Sequence, residues 1–191
     1  MLNIKTMSAV TAIAAMLFSA NAMAQAYVGG TVGQARWETS CSQASFCDTY
    51  DTSFSVFGGY NINANWGAEV SYTSLGTIHA SSYTAYGPSS ASIKAKGFDV
   101  SGVYRHQIAE KIEAFAKAGV AFTKAENDGY VYGIPRNGSL NSTKPVFGFG
   151  VTYAITPRMT VRAEISSRKV EMTPSTSTTA NNFSLGVQTS F

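Results

Sequence analysis

Five charged side chains stand alone among apolar neighbours, and their positions carry the clearest chemistry in the chain. Glu69 lies between Ala68 and Val70, Asp99 between Phe98 and Val100, and Lys117 between Ala116 and Ala118; Arg162 and Glu164 flank Ala163. In a strand, adjacent side chains point to opposite faces, so these ions share a side from which the apolar residues are turned away. Acids and bases gathered on one interior face can pair with one another. Two smaller constellations also bear on chemistry. Cys41 and Cys47 lie close together in a polar stretch, a spacing that in an exported chain predicts a disulfide. His79 and Ser81 stand at i and i+2, so His79 could act as general base on the Ser81 hydroxyl. The pair sits in a Ser-rich stretch with no acid to orient the imidazole, which reads as a solvated loop histidine. No catalytic residue, cofactor or metal site is expected.

What must position the five ions is a set of strands, because period-two alternation dominates the chain. Phe183, Leu185, Val187 and Phe191 share one parity, against Ser184, Gly186, Gln188 and Ser190 on the other. Phe147, Phe149, Val151 and Tyr153 alternate with Gly148, Gly150 and Thr152, and Val161, Ala163 and Ile165 with Arg162, Glu164 and Ser166. The same pattern recurs through Phe54–Tyr60, Ala68–Tyr72, Phe98–Tyr104 and Ile112–Phe122, with Tyr27–Trp37 the least regular. Eight segments of about ten residues suit tilted strands crossing a bilayer. Short connections at 61–65, 106–111 and 155–158 alternate with long polar ones at 38–51, 76–92, 124–144 and 168–182. That asymmetry separates the periplasmic and extracellular ends of an outer-membrane barrel, and a soluble sandwich has no reason to show it. Lipid offers no hydrogen-bond partner, so the sheet must close. The expected fold is all-β, an eight-stranded antiparallel up-and-down transmembrane β-barrel.

The amino terminus reads as an address. Lys5 precedes an uncharged run from Val10 to Ala20, and Ala22-Met23-Ala24 supplies the small residues that signal peptidase requires. The run is too short to span a membrane as a helix, so residues 1–24 are expected to be a cleavable signal peptide and 25–191 the barrel domain. The net charge is +3 in the full chain and one less without Lys5. With the basic residues scattered, no nucleic-acid partner is expected.

Three stretches resemble the transmembrane domain of the OmpA family: VFGGYNINANWGAEVSYTSLG from Val56, KPVFGFGVTYAITPRMTVRAE from Lys144, and the terminal SLGVQTSF. AYVGGTVGQARW and KIEAFAKAGVAFTKAE are similar to it more weakly. The family resemblance implies a Glu–Arg pair across the lumen acting as a gate, and it assigns these roles to Glu69 and Arg162, with Glu164 and Lys117 as further members. An interior Lys of the family is replaced here by Val103 and an interior Glu by Thr152, so the network is thinner, with Asp99 compensating. OmpA proteins usually continue into a periplasmic peptidoglycan-binding domain. The sequence given holds the barrel alone, so no cell-wall tether is expected.

The resulting expectation is a structural outer-membrane protein contributing to envelope integrity. A small gated ion pore and a surface adhesin or receptor acting through its loops, which carry Tyr83, Tyr86, Tyr130 and Tyr132, are the alternatives. More remote is a lipid A-modifying hydrolase, since a lipid A deacylase of this size uses a His-x-Ser pair. Expected partners are outer-membrane lipid and lipopolysaccharide, with Lys94, Lys96, Arg168 and Lys169 near the outer rim facing its phosphates. The barrel-insertion machinery, reading Phe183, Leu185, Val187 and Phe191, and periplasmic chaperones are expected during biogenesis. A closed barrel has no edge that demands a second copy, so a monomer is expected.

Overall fold

The computed structural model describes residues 25–38, 46–84, 87–131, 134–173 and 176–191. The expected signal segment, Cys41, Tyr86 and Tyr132 lie outside these residues, and of Cys47, Tyr83 and Tyr130 only the backbone is described. The expected Cys41–Cys47 disulfide therefore lies outside the described residues.

Eight long strands and one short one form the sheet: β1 (Ala26–Trp37), β2 (Phe46–Asp48), β3 (Tyr50–Asn61), β4 (Trp66–Thr84), β5 (Gly87–Ala109), β6 (Ile112–Val131), β7 (Ile134–Ala154), β8 (Met159–Thr173) and β9 (Thr176–Ser190). From β3 to β9 each strand pairs antiparallel with the next. The ring closes because β1 pairs with β3 on one side and with β9 on the other, from Tyr27 opposite Ser190 to Trp37 opposite Ala180. The eight long strands thus make a closed antiparallel barrel, and β2 continues the line of β3 beyond Thr49, paired with the upper part of β4 on the edge that β3 takes lower down.

Alternation decides which face each side chain takes. Val32, Phe54, Val56, Val70, Phe98, Val100, Phe122, Phe147, Phe149, Phe183, Leu185 and Val187 are exposed on the outside of the cylinder. Ser53, Ser71, Thr73, Ser101, Thr152, Ser166 and Ser184 are buried inside it. In water this arrangement would leave the apolar face wet; in lipid it satisfies both faces at once. Trp66 and Tyr104, cross-strand partners at the short-turn end, meet edge to face at 5.0 Å, as suits an interfacial girdle.

The short turns are held by side chains that imitate backbone. Asn63 Oδ1 accepts from the amides of Asn65 (2.9 Å) and Trp66 (2.8 Å), and Thr156 Oγ1 accepts from Met159 N (2.9 Å). The start of β1 and the end of β9 meet at this same end of the barrel, where Phe191 N donates to Ala26 O at 3.1 Å. One irregularity interrupts β4, a register shift between Ser74 and Thr77. Gly76 takes φ = +76° there, a value that favours glycine. Asp51 braces the shift by accepting from Thr77 N at 2.5 Å and from Thr52 N at 2.7 Å.

The long polar stretches differ from expectation. They are mostly hairpin extensions rather than irregular loops, so that β5 spans 23 residues and β7 spans 21. Neighbouring strands satisfy one another's backbone groups whatever their side chains, and above the bilayer the outer face meets water instead of lipid. Ser, Thr and Asn can occupy either face there, and the alternation that marks a strand in sequence disappears.

Candidate functional site

The interior of the barrel is filled in layers, and one of them gathers four of the predicted ions. Glu69 on β4 receives a two-pronged pair from Arg162 on β8, with NH1 to Oε2 at 2.7 Å and NH2 to Oε1 at 3.1 Å. The same guanidinium reaches Glu164 Oε2 through Nε (3.0 Å) and NH2 (2.6 Å). Lys117 Nζ on β6 lies 2.6 Å from Glu164 Oε1 and 3.3 Å from Glu69 Oε1, and Tyr27 OH donates to Glu69 Oε2 at 3.1 Å. Two carboxylates face two cations, so the layer is electrically neutral. Charge-assisted, bidentate bonds of this kind are the strong ones.

Two inward aromatic rings complete this layer, and the expectation of a small, polar lumen did not include them. The Arg162 guanidinium lies between Phe57 at 4.3 Å and Phe115 at 4.2 Å from the ring centroids. Ring faces attract a desolvated cation and exclude water from both sides of its plane. Inward glycines provide the room. A Cβ on Gly150 would meet the Phe115 ring, one on Gly148 the Lys117 stem, and one on Gly59 the Tyr27 ring. Gly59, Gly148 and Gly150 are thus the spaces into which the network's large side chains fit.

Asp99 does not join that cluster. It forms a second layer with Arg168, again two-pronged, at 2.9 Å (NH1 to Oδ1) and 2.8 Å (NH2 to Oδ2). Ser71 Oγ donates to Asp99 Oδ2 at 3.1 Å, and Arg168 NH2 donates to Thr73 at 3.4 Å. This corrects the expectation for Arg168, which is buried in the lumen and cannot face lipopolysaccharide. The expected connection begins at residue 168, whereas β8 runs on to Thr173. With Arg162, Glu164 and Ser166 pointing inward, an uninterrupted β8 carries Arg168 inward too. Lys94 and Lys169 are exposed on the outer face, and Lys96 is partly exposed there.

Below and above these layers the lumen changes character. At the short-turn end Arg105 reaches Asn61 Oδ1 (2.5 Å) and Glu113 Oε1 (3.4 Å) and lies over the Tyr27 ring at 4.7 Å. An open cavity of about 280 Å³, lined by Asn61, Arg105, Glu113, Thr152 and Gln188 among others, enters there. At the opposite end Ala35, Trp37, Leu75, Ala95, Ala125, Val170 and Ala180 form a buried apolar cluster joined by Ile93. Side chains from six strands meet in this cap.

On the outer surface Lys96 and Lys124 are cross-strand partners, and both approach Glu126 Oε1, at 3.5 Å and 2.9 Å. The hydrogen bond from Lys124, reinforced by its charge, holds the Glu126 carboxyl below its usual range. His79 is exposed and Ser81 half-buried on β4, and among the described residues no hydrogen bond joins them.

Comparison with known proteins agrees with this geometry. The profile of the OmpA-like transmembrane domain matches residues 21–186. The chain belongs to that family. As an OmpA-like barrel it resides in the outer membrane, and barrels of this kind carry short turns on the periplasmic side and longer loops outside. Outer membrane protein A of Escherichia coli O157:H7 is 29% identical over 109 residues, covering 57% of this chain and 30% of that protein. The OmpA-like chain therefore matches less than a third of that relative's length. Neisserial surface protein A superposes with a TM-score of 0.65 at 21% identity, covering 87% of this chain and 97% of its own. Ail, the attachment invasion locus protein of Yersinia pestis, gives 0.57 at 15% identity, covering 88% and 99%. These two likenesses show the fold. The relatives are barrel proteins, not enzymes.

Proposed function

We propose that this OmpA-like barrel is a structural component of the outer membrane, contributing to envelope integrity, with a lumen closed to ions. One observation carries the reading: the apolar cap seated above two neutral, fully paired charge layers. An apolar constriction resists wetting, and an ion entering it would lose its hydration shell without gaining a partner. Opening the Glu69–Arg162 pair alone leaves that barrier in place, so the pair acts as packing more than as a gate. The outward-facing Phe183, Leu185, Val187 and Phe191 fit the same role, as the segment the insertion machinery would recognise.

Single-channel recording in a planar bilayer tests this, with the wild type beside a Glu69→Gln/Arg162→Gln variant. Silence from both is expected. Discrete currents that rise in the variant would make the pair a gate and the protein a small pore.

Surface contact is the second reading, supported by the length of the hairpins. Beyond Lys124, β6 continues to Val131, adding about 20 Å of strand outside the bilayer at roughly 3.3 Å per residue. Two of the structural neighbours are named for the cell surface and for attachment. Deleting the outer thirds of the β4–β5 and β6–β7 hairpins should abolish host-cell adhesion in this reading while leaving the barrel folded.

A further inference from the structure

The outer wall of β5 and β6 carries a charge arrangement that the protein alone leaves unbalanced. Lys96 and Lys124 are directly opposite each other across the two strands. Like charges in that position repel, yet both ammonium groups approach a single carboxylate oxygen, Glu126 Oε1. Lys94, the cross-strand partner of Glu126, adds a third, exposed cation, and the next acid, Asp128, lies further out opposite Ser92. The row nearest the membrane is therefore purely basic.

Its height is set by the residues beneath it. On β6 the outward side chains Ile112, Ala114, Ala116, Ala118, Val120 and Phe122 carry no charge. At about 3.3 Å per residue and a tilt of roughly 40°, the Ile112–Phe122 stretch climbs about 25 Å, the height of the lipid-facing band of such barrels. Phe98 and Phe122, themselves cross-strand partners and both exposed, mark its upper edge. Lys96 and Lys124 stand one outward position above them, at the level of the outer leaflet's headgroups.

We propose that Lys96 and Lys124, assisted by Lys94, bind a phosphate group of lipopolysaccharide, the glycolipid of that leaflet. A phosphate placed between the two facing ammonium groups would supply the second anion that Glu126 alone does not. The acyl chains of the same lipid would lie along Phe98, Phe122 and Val120 below. Lys169, exposed on β8 two strands away, is not part of this site.

Native mass spectrometry of the purified, folded barrel tests the assignment, using bisphosphorylated lipid A, the same lipid A stripped of phosphate, and phosphatidylglycerol. The wild type should retain bisphosphorylated lipid A at least about tenfold better than either other lipid. A Lys96→Gln/Lys124→Gln variant should lose that preference, and a Lys96→Arg/Lys124→Arg variant should keep it. Equal retention of all three lipids by the wild type would overturn the site without recourse to any variant. Undiminished lipid A retention by the Gln variant would overturn the role of these two lysines. Heat-dependent gel mobility verifies that each variant is folded.

Discussion

Two levels of the lumen solve the same packing problem with opposite chemistry. Around Glu69 and Arg162 the space is filled by ions that satisfy one another, whereas around Trp37 it is filled by apolar groups that need no partner. The ionic layer is fixed by direction: each oxygen has a stated donor, and a wrong rotamer leaves a charge unpaired in a dry interior. The cap is fixed by volume, and its members tolerate any neighbour of the right size. A buried ion network need not be more stabilising than apolar packing of equal volume, so its contribution is better sought in specificity. Four ions from three strands agree only when β4, β6 and β8 stand in one register. The cap imposes no comparable demand.

That contrast can be broken most severely at Arg162. Arg162→Ala leaves Glu69 and Glu164 facing each other with Lys117 alone, and it should cost about 3–5 kcal/mol. The midpoint of urea unfolding and the temperature at which the compact gel mobility is lost should both fall; an unchanged transition would sink the pairing. Trp37→Ala should cost about 3 kcal/mol through the cavity it leaves. It should also make the ion-pair variant conduct where the wild-type cap keeps that variant silent. A smaller effect is expected from replacing the whole network at once, Glu69→Leu with Lys117→Met, Arg162→Met and Glu164→Leu. Stability should stay within about 1 kcal/mol of wild type or rise, while refolding yields a mixture of gel mobilities. A single sharp species would show that register is specified elsewhere. Trp37→Phe should matter least, under about 1 kcal/mol, because Trp37 Nε1 has no hydrogen-bond partner among the described residues that Phe would forfeit.

Alternation made the membrane-crossing part of the fold legible. It gave the eight segments, the outward faces and the inward direction of Glu69, Lys117, Arg162 and Glu164, because lipid permits no charge on the other side. The signal failed where lipid ends. Ser, Thr and Asn above the bilayer carry no facial preference, so the extensions of β4 to β9 read as loops and Arg168 was detached from the lumen it occupies. Phe57 and Phe115 were legible by parity, but an aromatic ring inside a supposedly polar lumen looks like an error of register until the cation between them is seen. The cap left no trace in sequence. Its alanines, its valine and its leucine are unremarkable locally and become a cluster only when six strands converge.

The seam between β1 and β9 has a consequence for the closing of the ring. Every other pairing in the ring joins strands that are near one another in sequence, so it closes a shorter stretch of chain. Tyr27 and Ser190 lie on the first and last strands of the ring, and bringing such distant segments together carries the largest loss of chain freedom. Until they meet, two unpaired edges are exposed to hydrocarbon. The seam is therefore the pairing that costs most chain freedom to close, and an unclosed sheet in lipid would leave two backbone edges without partners until Phe191 meets Ala26.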